Sequence, residues 1–156
     1  MNIQYKPITS DNWRIFTQLK VKDEQKAYVA PNTTILAKAY AYRENNSLVY
    51  AIYDEDLPIG LLMQRDYMKD HNLICILDQF MISEQYQGLG YGKEALQLWI
   101  SMVKAERKYV SIMLCYIDKD EIARNLYLRA GFLHTGENDE DEIGMEFKLI
   151  GRSDNS

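Results

Sequence analysis

The feature that most constrains the fold of this chain is a glycine-rich turn between a long apolar segment and an amphipathic one. The apolar segment, LICILDQFMI at residues 73–82, is the near-continuous kind found in a strand that is covered on both faces. The turn, QGLGYGK, occupies residues 87–93, and apolar residues then recur with helical spacing over residues 95–103. A buried strand, a glycine turn and a helix in this order predict a ligand site at the turn.

The turn has the composition of an anion-binding loop. Glycine lets the backbone approach a ligand closely because it has no Cβ and adopts positive φ freely, and the first amides of a helix attract phosphate. The dinucleotide pattern GxGxxG would need glycine at position 93, where the chain has Lys93. The Walker pattern GxxxxGK[ST] would need glycine at position 87 and Ser or Thr at position 94, where the chain has Gln87 and Glu94. The string that remains is Q-x-x-G-x-G, formed by Gln87, Gly90 and Gly92.

The rest of the chain predicts further strands and helices around this unit. Hydrophobic periodicity predicts a strand over residues 3–8, a helix over 13–21, a break at Pro31 and Asn32, and a second helix after it. Two strands joined at residues 54–56 precede the central strand. A strand over 109–117, a helix that ends at Gly131 and two strands around the acidic loop 138–141 follow the glycine turn. This order predicts an α/β fold of the mixed α+β kind.

Length and composition predict one ordinary globular domain. The 156 residues suffice for a single core, which we place over residues 1–150, with a disordered tail at 151–156. A net charge of −5 disfavours a nucleic-acid partner and suits a small cationic one. No segment has the roughly 18 apolar residues of a membrane span, so we expect a cytoplasmic protein without a membrane partner. Cys75 and Cys115 lie in apolar runs and are predicted to be buried, reduced thiols, and no metal site is predicted.

Two motifs together resemble the GNAT superfamily of N-acetyltransferases. The first is the glycine turn after LDQFMISEQY, and the second is ARNLYLRAGF at residues 123–132. The LDQFMI strand and the segment VKDEQKAYV at residues 21–29 look more closely like bacterial diamine and polyamine acetyltransferases. The resemblance implies the GNAT fold, a mostly antiparallel sheet with one splayed parallel strand pair and flanking helices. It also implies transfer of acetyl from acetyl-CoA to a primary amine, in this case a diamine or polyamine, by direct attack.

The resemblance further implies where acetyl-CoA binds. Its pantetheine arm would insert between the splayed strands and pair with the backbone of Phe80 and Ile82, and an amide at Met81 or Ile82 would polarise the thioester carbonyl. Asp120 lies near the position where many members carry Asn, and a carboxylate accepts a hydrogen bond from the pantetheine amide but cannot donate one. The pyrophosphate would be held by the amides of Gln87, Gly88, Leu89, Gly90, Tyr91, Gly92 and Lys93.

The same resemblance suggests the catalytic and acceptor residues. Tyr127 is the candidate acid that protonates the departing thiolate, and the alternative is a core tyrosine on an amphipathic helix. Asp78, the charged residue inside the apolar strand, is the candidate base with a pKa raised by burial. Its alternative role is a carboxylate that pairs with a neighbouring Arg or caps a backbone N–H. Glu24, Gln25 and Tyr28 are predicted to bind the acceptor, since an acid and an aromatic ring suit an alkylammonium.

Two alternative functions stay open at this point. The acceptor could be a protein N-terminus or lysine instead of a small amine. The chain could also be a CoA-binding sensor without turnover, which the carboxylate at Asp120 motivates. A homodimer is possible, and we expect the acidic loop 138–141 and the two histidines, His71 and His134, to be solvated or packed residues without a catalytic role.

Overall fold

The computed structural model describes residues 1–149, which form seven strands and four α-helices. The predicted tail, 151–156, lies outside the described residues. Within the described part of the chain, no helix is both long and apolar enough to cross a membrane. The strands are β1 (Ile3–Pro7), β2 (Leu48–Asp54), β3 (Leu57–Lys69), β4 (Asn72–Ile82), β5 (Ser111–Ile117), β6 (Leu133–Asp139) and β7 (Glu142–Lys148). The helices are α1 (Trp13–Gln18), α2 (Asn32–Ala41), α3 (Tyr91–Ala105) and α4 (Glu121–Ala130), with short 3-10 helices at Asp23–Gln25, Arg43–Asn45 and Glu84–Tyr86.

All seven strands belong to one mixed sheet. Their order across the sheet is β1-β2-β3-β4-β5-β7-β6. Every neighbouring pair is antiparallel except β4 and β5, which run parallel. The predicted mostly antiparallel sheet with one parallel pair is therefore confirmed.

The parallel pair separates soon after it forms. β4 and β5 pair over three consecutive positions, and the last of them sets Ile76 opposite Met113. β4 then continues to Ile82 and β5 to Ile117 without pairing to each other. The predicted splay is therefore present, and the gap opens toward the carboxyl ends of both strands.

A β-bulge lies in β4 at the point where the gap opens. On β3, Met63 faces Gln79 and Gln64 faces Leu77, so Asp78 is an extra residue on β4 without an opposite partner. A bulge bends its strand and redirects the side chain of the extra residue. The bend at Asp78 follows closely on the last β4–β5 pair and carries β4 away from β5.

Helices cover both faces of the sheet and create two hydrophobic clusters. One cluster contains Trp99 of α3 and Phe132, which follows α4, and the other contains Phe16 of α1 and Ile35 of α2. All four side chains are fully buried. Side chains on a strand alternate between the two faces, so successive apolar residues of β3 contribute to opposite clusters. The near-continuous apolar runs of the central strands follow from this two-sided burial.

The helix ends agree with the sequence in one case and differ in another. The prediction that α4 ends at a left-handed glycine is confirmed, since Gly131 follows the helix with φ +108°. The predicted helix over 13–21 is too long, because α1 ends at Gln18 and the backbone is extended at Leu19. This early end lets Val21 reach the cluster that contains Phe16.

Candidate active site

The gap between β4 and β5 opens into a cavity of about 450 Å³. Its walls come from strands β3, β4, β5, β6 and β7, from helices α2 and α4, and from the loop that precedes α2. Five of the residues predicted from the sequence line it, although they come from distant parts of the chain. They are Tyr28, Asp78, Phe80, Asp120 and Tyr127.

Tyr127 belongs both to the hydrophobic core and to the cavity wall. Its ring is buried and packs edge-on against Phe132, with 5.8 Å between the ring centroids. Burial raises the pKa of the Tyr127 phenol above its ordinary value, and the negative charge of Asp120 adds to the effect. The phenol therefore stays protonated at neutral pH, as a proton donor must.

Asp120 caps α4. Its Oδ1 accepts a hydrogen bond of 3.1 Å from the amide nitrogen of Ala123, which is the usual contact of an N-cap side chain. Asp and Asn cap helices about equally well, at roughly 1 kcal/mol, so the carboxylate preserves this local structure. One carboxylate oxygen is engaged by the helix, and the residue also lines the cavity.

Asp78 is paired with two cations. Lys38 Nζ lies 2.7 Å from Oδ1 and Arg65 Nε lies 2.7 Å from Oδ2, while only 3% of the Asp78 side chain is exposed. Burial by itself raises the pKa of this carboxyl, but the hydrogen bonds from Lys38 and Arg65 and the charge of Lys38 outweigh it, so the pKa is lowered. The expectation of a raised pKa is therefore wrong, and the alternative of an Arg-paired carboxylate is present.

The two cations share an aromatic neighbour. Arg65 Cζ lies 4.7 Å and Lys38 Nζ lies 5.8 Å from the ring centroid of Tyr42, within the range of cation–π attraction. We call Lys38, Asp78 and Arg65 the Asp78 cluster. Neither Lys38 nor Arg65 was predicted from the sequence, because they lie 40 and 13 residues from Asp78 and carry no local motif.

The glycine turn has the backbone geometry of a phosphate-binding loop. Gly88 and Gly90 adopt positive φ, at +77° and +92°, and Gly90 is the N-cap of α3. The turn from Gly88 to Gly90 is exposed, and the amides of Tyr91 and Lys93 belong to the first helical turn, whose N–H groups have no partner within the helix. The turn therefore presents free N–H groups at a helix N-terminus.

Gln87 fastens this turn to the end of β4. Its Nε2 donates to the carbonyl oxygen of Ile82 at 2.8 Å and to Oε1 of Gln25 at 2.9 Å. Gln25 is therefore buried against the turn and does not line the cavity. Glu24 is exposed and also lies outside the lining. Of the three residues predicted to bind the acceptor, the structure places only Tyr28 at the cavity.

Charged side chains of both signs line the cavity. Four carboxylates and three cations line it, and each cation is paired with one of the carboxylates. The lining carboxylates are Asp78, Asp120, Glu137 and Glu142, and the cations are Lys38, Arg65 and Lys69. The wall therefore has a small excess of negative charge. Of these seven charged residues, only Asp78 and Asp120 were predicted from the sequence.

The two cysteines differ in exposure. Cys75 is fully buried, and burial raises the pKa of its thiol to about 12. Cys115 is exposed and lines the cavity, so the prediction that both thiols are buried is wrong for this residue. The reason is strand alternation, because Leu114 and Tyr116 on either side of Cys115 pack into the cluster that contains Trp99 and leave Cys115 on the opposite face of β5.

The histidines and the acidic loop have surface positions. His71 is exposed in the turn between β3 and β4, and His134 Nε2 shares a 2.7 Å hydrogen bond with the Tyr116 hydroxyl. Residues 138–141 form the exposed hairpin between β6 and β7. His71 is therefore a surface residue and His134 is packed against Tyr116.

Comparison with known proteins decides the family. The sequence profile of the Acetyltransferase (GNAT) family matches residues 8–132. This chain belongs to the GNAT acetyltransferase family. It is an acyl-CoA-dependent N-acetyltransferase, and its acyl donor is acetyl-CoA, as the resemblance of the two motifs implied.

Relatives and solved structures agree with this assignment. A spermine/spermidine N(1)-acetyltransferase of Bacillus subtilis (strain 168) is 30% identical over 148 residues, which cover 89% of this chain and 93% of the relative. The crystal structure of spermidine N-acetyltransferase from Vibrio cholerae, in complex with CoA and spermine, matches with a TM-score of 0.76 at 15% identity, over 95% of this chain and 96% of that one. An aminoglycoside acetyltransferase in complex with coenzyme A matches with a TM-score of 0.78 at 11% identity, over 94% and 95%. At such identities the two structures support the GNAT fold.

The residues of this GNAT chain fit an acetyl-CoA molecule. Beyond Ile76, β4 has backbone groups without a β5 partner, as an extended chain that inserts into the gap requires. The glycine turn provides amides for phosphate. Tyr127 lines the cavity into which the gap opens, where the thioester would meet an acceptor.

Proposed function

We propose that this GNAT enzyme acetylates a linear polyamine of the spermidine or spermine type. The observation that carries the proposal is the cavity wall, in which four carboxylates and the ring of Tyr28 surround the space beside the β4–β5 gap. Carboxylates attract ammonium groups, and an aromatic face adds cation–π attraction. The net charge of −5 favours the approach of a polycation. The polyamine acetyltransferase of Bacillus subtilis, 30% identical, supports the same acceptor class.

The reaction we propose is a direct transfer. The acceptor nitrogen, as the free amine, attacks the acetyl carbonyl carbon of acetyl-CoA, a C–N bond forms and the C–S bond breaks. The proton that the nitrogen loses passes to water, and the departing thiolate takes a proton from an acid in the site. A route through a cysteine has little support, since burial raises the pKa of both Cys75 and Cys115 and leaves the thiols protonated. The products are the N-acetyl polyamine and CoA.

Tyr127 is the residue to which we assign protonation of the departing thiolate. The phenol carries its proton at neutral pH, but because its raised pKa lies above that of a thiol, the transfer depends on the position of the hydroxyl. Burial of the ring against Phe132 fixes its position, and position is what general acid catalysis by a phenol requires.

We assign the remaining contacts with acetyl-CoA to β4, Asp120 and the glycine turn. We assign pairing with the pantetheine arm to the backbone of Phe80 and Ile82, and polarisation of the thioester carbonyl to an amide at Met81 or Ile82. The free carboxylate oxygen of Asp120 would accept a hydrogen bond from a pantetheine amide. The amides of residues 87–93 would hold the pyrophosphate.

Asp78 suits ammonium binding better than proton abstraction. A carboxylate held ionised by Lys38 and Arg65 has a lowered pKa and is a weak base. The carboxylate can nevertheless bind an alkylammonium in place of one of its two paired cations. We therefore assign acceptor binding to Asp78 and Tyr28, while Gln25 supports the glycine turn through Gln87.

A thiol-release assay tests this function. Acetyl-CoA is incubated with the enzyme and with spermine, spermidine, putrescine, amino acids, an aminoglycoside or peptides, and the acetylated product is identified by mass spectrometry. We expect thiol release with spermidine or spermine, and a KM for these amines that rises with salt as charges are screened. Release only with peptides or other amines would reject the polyamine acceptor. CoA binding without turnover across the panel would indicate a sensor instead.

A further inference from the structure

The Asp78 cluster places an alkylammonium of the protein itself inside the candidate acceptor cavity. Lys38 Nζ lies 2.7 Å from Asp78 Oδ1, and both residues line the cavity that contains Tyr127. A lysine side chain is an ammonium on a four-carbon stem, the same chemical group as the aminobutyl end of spermidine. The contact between Lys38 and Asp78 is therefore the contact that a polyamine end would make there.

The two cations of the Asp78 cluster differ in exposure and in how tightly their side chains are packed. The side chain of Arg65 is 21% exposed and that of Lys38 is 38% exposed. Arg65 lies on β3, in the middle of the sheet, and its planar guanidinium lies closer to the Tyr42 ring. Lys38 extends from α2 on a flexible stem, and its ammonium is strongly hydrated when released. Lys38 is the cation that exchanges more easily.

Charge balance also favours an acceptor ammonium that replaces Lys38 at Asp78 over one that binds beside both cations. If an acceptor ammonium joined Lys38 and Arg65 at Asp78, three cations would crowd one carboxylate whose side chain is 3% exposed. Like charges so close together, away from water, repel strongly. If the acceptor ammonium replaces Lys38, the charge of the cluster does not change and both carboxylate oxygens keep a donor.

We propose that Lys38 is an internal competitor of the acceptor amine. Its ammonium occupies the ammonium subsite at Asp78 in the free enzyme, and an acceptor ammonium displaces it on binding. The inference rests on the proposed amine acceptor. It assigns Lys38 a role in acceptor affinity, because every acceptor must displace the lysine before it binds.

The test compares amine binding in Lys38→Met with that in the wild-type enzyme. Spermidine and butylamine are titrated into the CoA complex by calorimetry. We expect the Kd of both amines to fall by the same factor, about twofold to fivefold, the range of one partly exposed ion pair. The Kd of CoA should not change. In Lys38→Arg, the planar cation competes more firmly, so the Kd of spermidine should rise.

Lys108→Met is the matched control. Lys108 also pairs with a carboxylate, Glu106 at 3.4 Å, and also lies over an aromatic ring, that of Tyr109 at 5.0 Å, but it does not line the cavity. Its loss should leave the Kd of both amines unchanged.

An unchanged or higher Kd for both amines in Lys38→Met would overturn the inference. If that variant does not fold, a Kd of spermidine in Lys38→Arg equal to or lower than in wild type would overturn it instead. The proposed function has its own test, and it fails if the wild-type enzyme releases no thiol with any polyamine. In that case the comparison of Kd values still decides the role of Lys38. Absence of amine binding in every variant would overturn both.

Discussion

The indole Nε1 of Trp99 donates a hydrogen bond of 2.8 Å to Oε1 of Gln64, and both side chains are buried. Gln64 lies on β3 directly beside the bulge that contains Asp78. The bond therefore connects α3, the helix after the glycine turn, to the strand position where β4 bends away from β5. One hydrogen bond thus links the turn that we assign to acetyl-CoA with the cluster that we assign to the amine.

Replacement of Gln64 by Leu should lower the free energy of unfolding by about 1–3 kcal/mol, because the buried indole N–H loses its acceptor. Urea unfolding followed by circular dichroism measures the loss. The control is Gln97→Leu, on the exposed face of α3, the helix that carries Trp99. This variant should stay within about 0.5 kcal/mol of wild type. Equal losses in the two variants would contradict the importance of the Trp99 bond.

Replacement of Tyr127 by Phe should reduce kcat by about a hundredfold or more, the range of a lost general acid. The Phe ring keeps the packing against Phe132, so stability should change little. Steady-state thiol release with acetyl-CoA and spermidine measures kcat. Tyr67→Phe, which removes another hydroxyl from the cavity wall, is the control and should retain kcat within about twofold. Similar kcat values in both variants would remove Tyr127 from the mechanism.

Gly88 and Gly136 offer a matched pair of variants for the donor site. Both have positive φ, +77° and +80°, and an added Cβ would meet no atom within 4 Å at either position. Alanine should therefore cost a similar free energy of unfolding at both, about 1 kcal/mol. Only Gly88→Ala should raise the KM for acetyl-CoA, since only Gly88 lies in the turn assigned to the pyrophosphate. A raised KM in Gly136→Ala alone would contradict that assignment.

The stability contribution of Asp78 should depend on pH. Its folded-state pKa is lowered from the ordinary value of 3.8, so its pairing stabilises the fold above that value. The contribution decreases as pH falls through the lowered pKa. The difference in unfolding free energy between wild type and Asp78→Asn should therefore be largest at neutral pH and shrink below about pH 4. Urea unfolding at several pH values measures it, and a difference independent of pH would refute the cation pairing.

The two thiols should react very differently with an alkylating reagent in the native enzyme. Cys115 lines the cavity, whereas Cys75 is fully buried with a pKa of about 12. Iodoacetamide at mildly alkaline pH should modify Cys115 first, and acetyl-CoA should slow the reaction by filling the gap. Peptide mass spectrometry measures both rates. Faster modification of Cys75 would contradict the cavity boundary described above.

Sequence patterns predicted those parts of the fold that depend on local chemistry. The order of strands and helices, the left-handed Gly131 and the glycine turn each follow from periodicity or from a φ requirement within a few residues. The GNAT motifs then implied the splayed pair. The length of α1 was wrong because its end depends on tertiary burial of Val21, which a local pattern does not contain.

The site was predicted less completely for the same reason. Tyr127 belongs to the second motif and Asp120 lies three residues before it, and both line the cavity. The Asp78 cluster joins three separate elements, so neither Lys38 nor Arg65 could be recognised, and the pKa of Asp78 was predicted in the wrong direction. The exposure of Cys115 likewise depends on which face of β5 packs into the cluster that contains Trp99.

The separation of β4 and β5 also gives the sheet two additional edges in its middle. Unpaired main-chain groups at an edge invite pairing with any extended chain, which is the usual origin of strand-mediated aggregation. We propose that in this fold the unpaired groups pair with the acyl donor, which would enter as an extended partner. The inner edges would then be covered in the acetyl-CoA complex and open to another protein chain in the free enzyme.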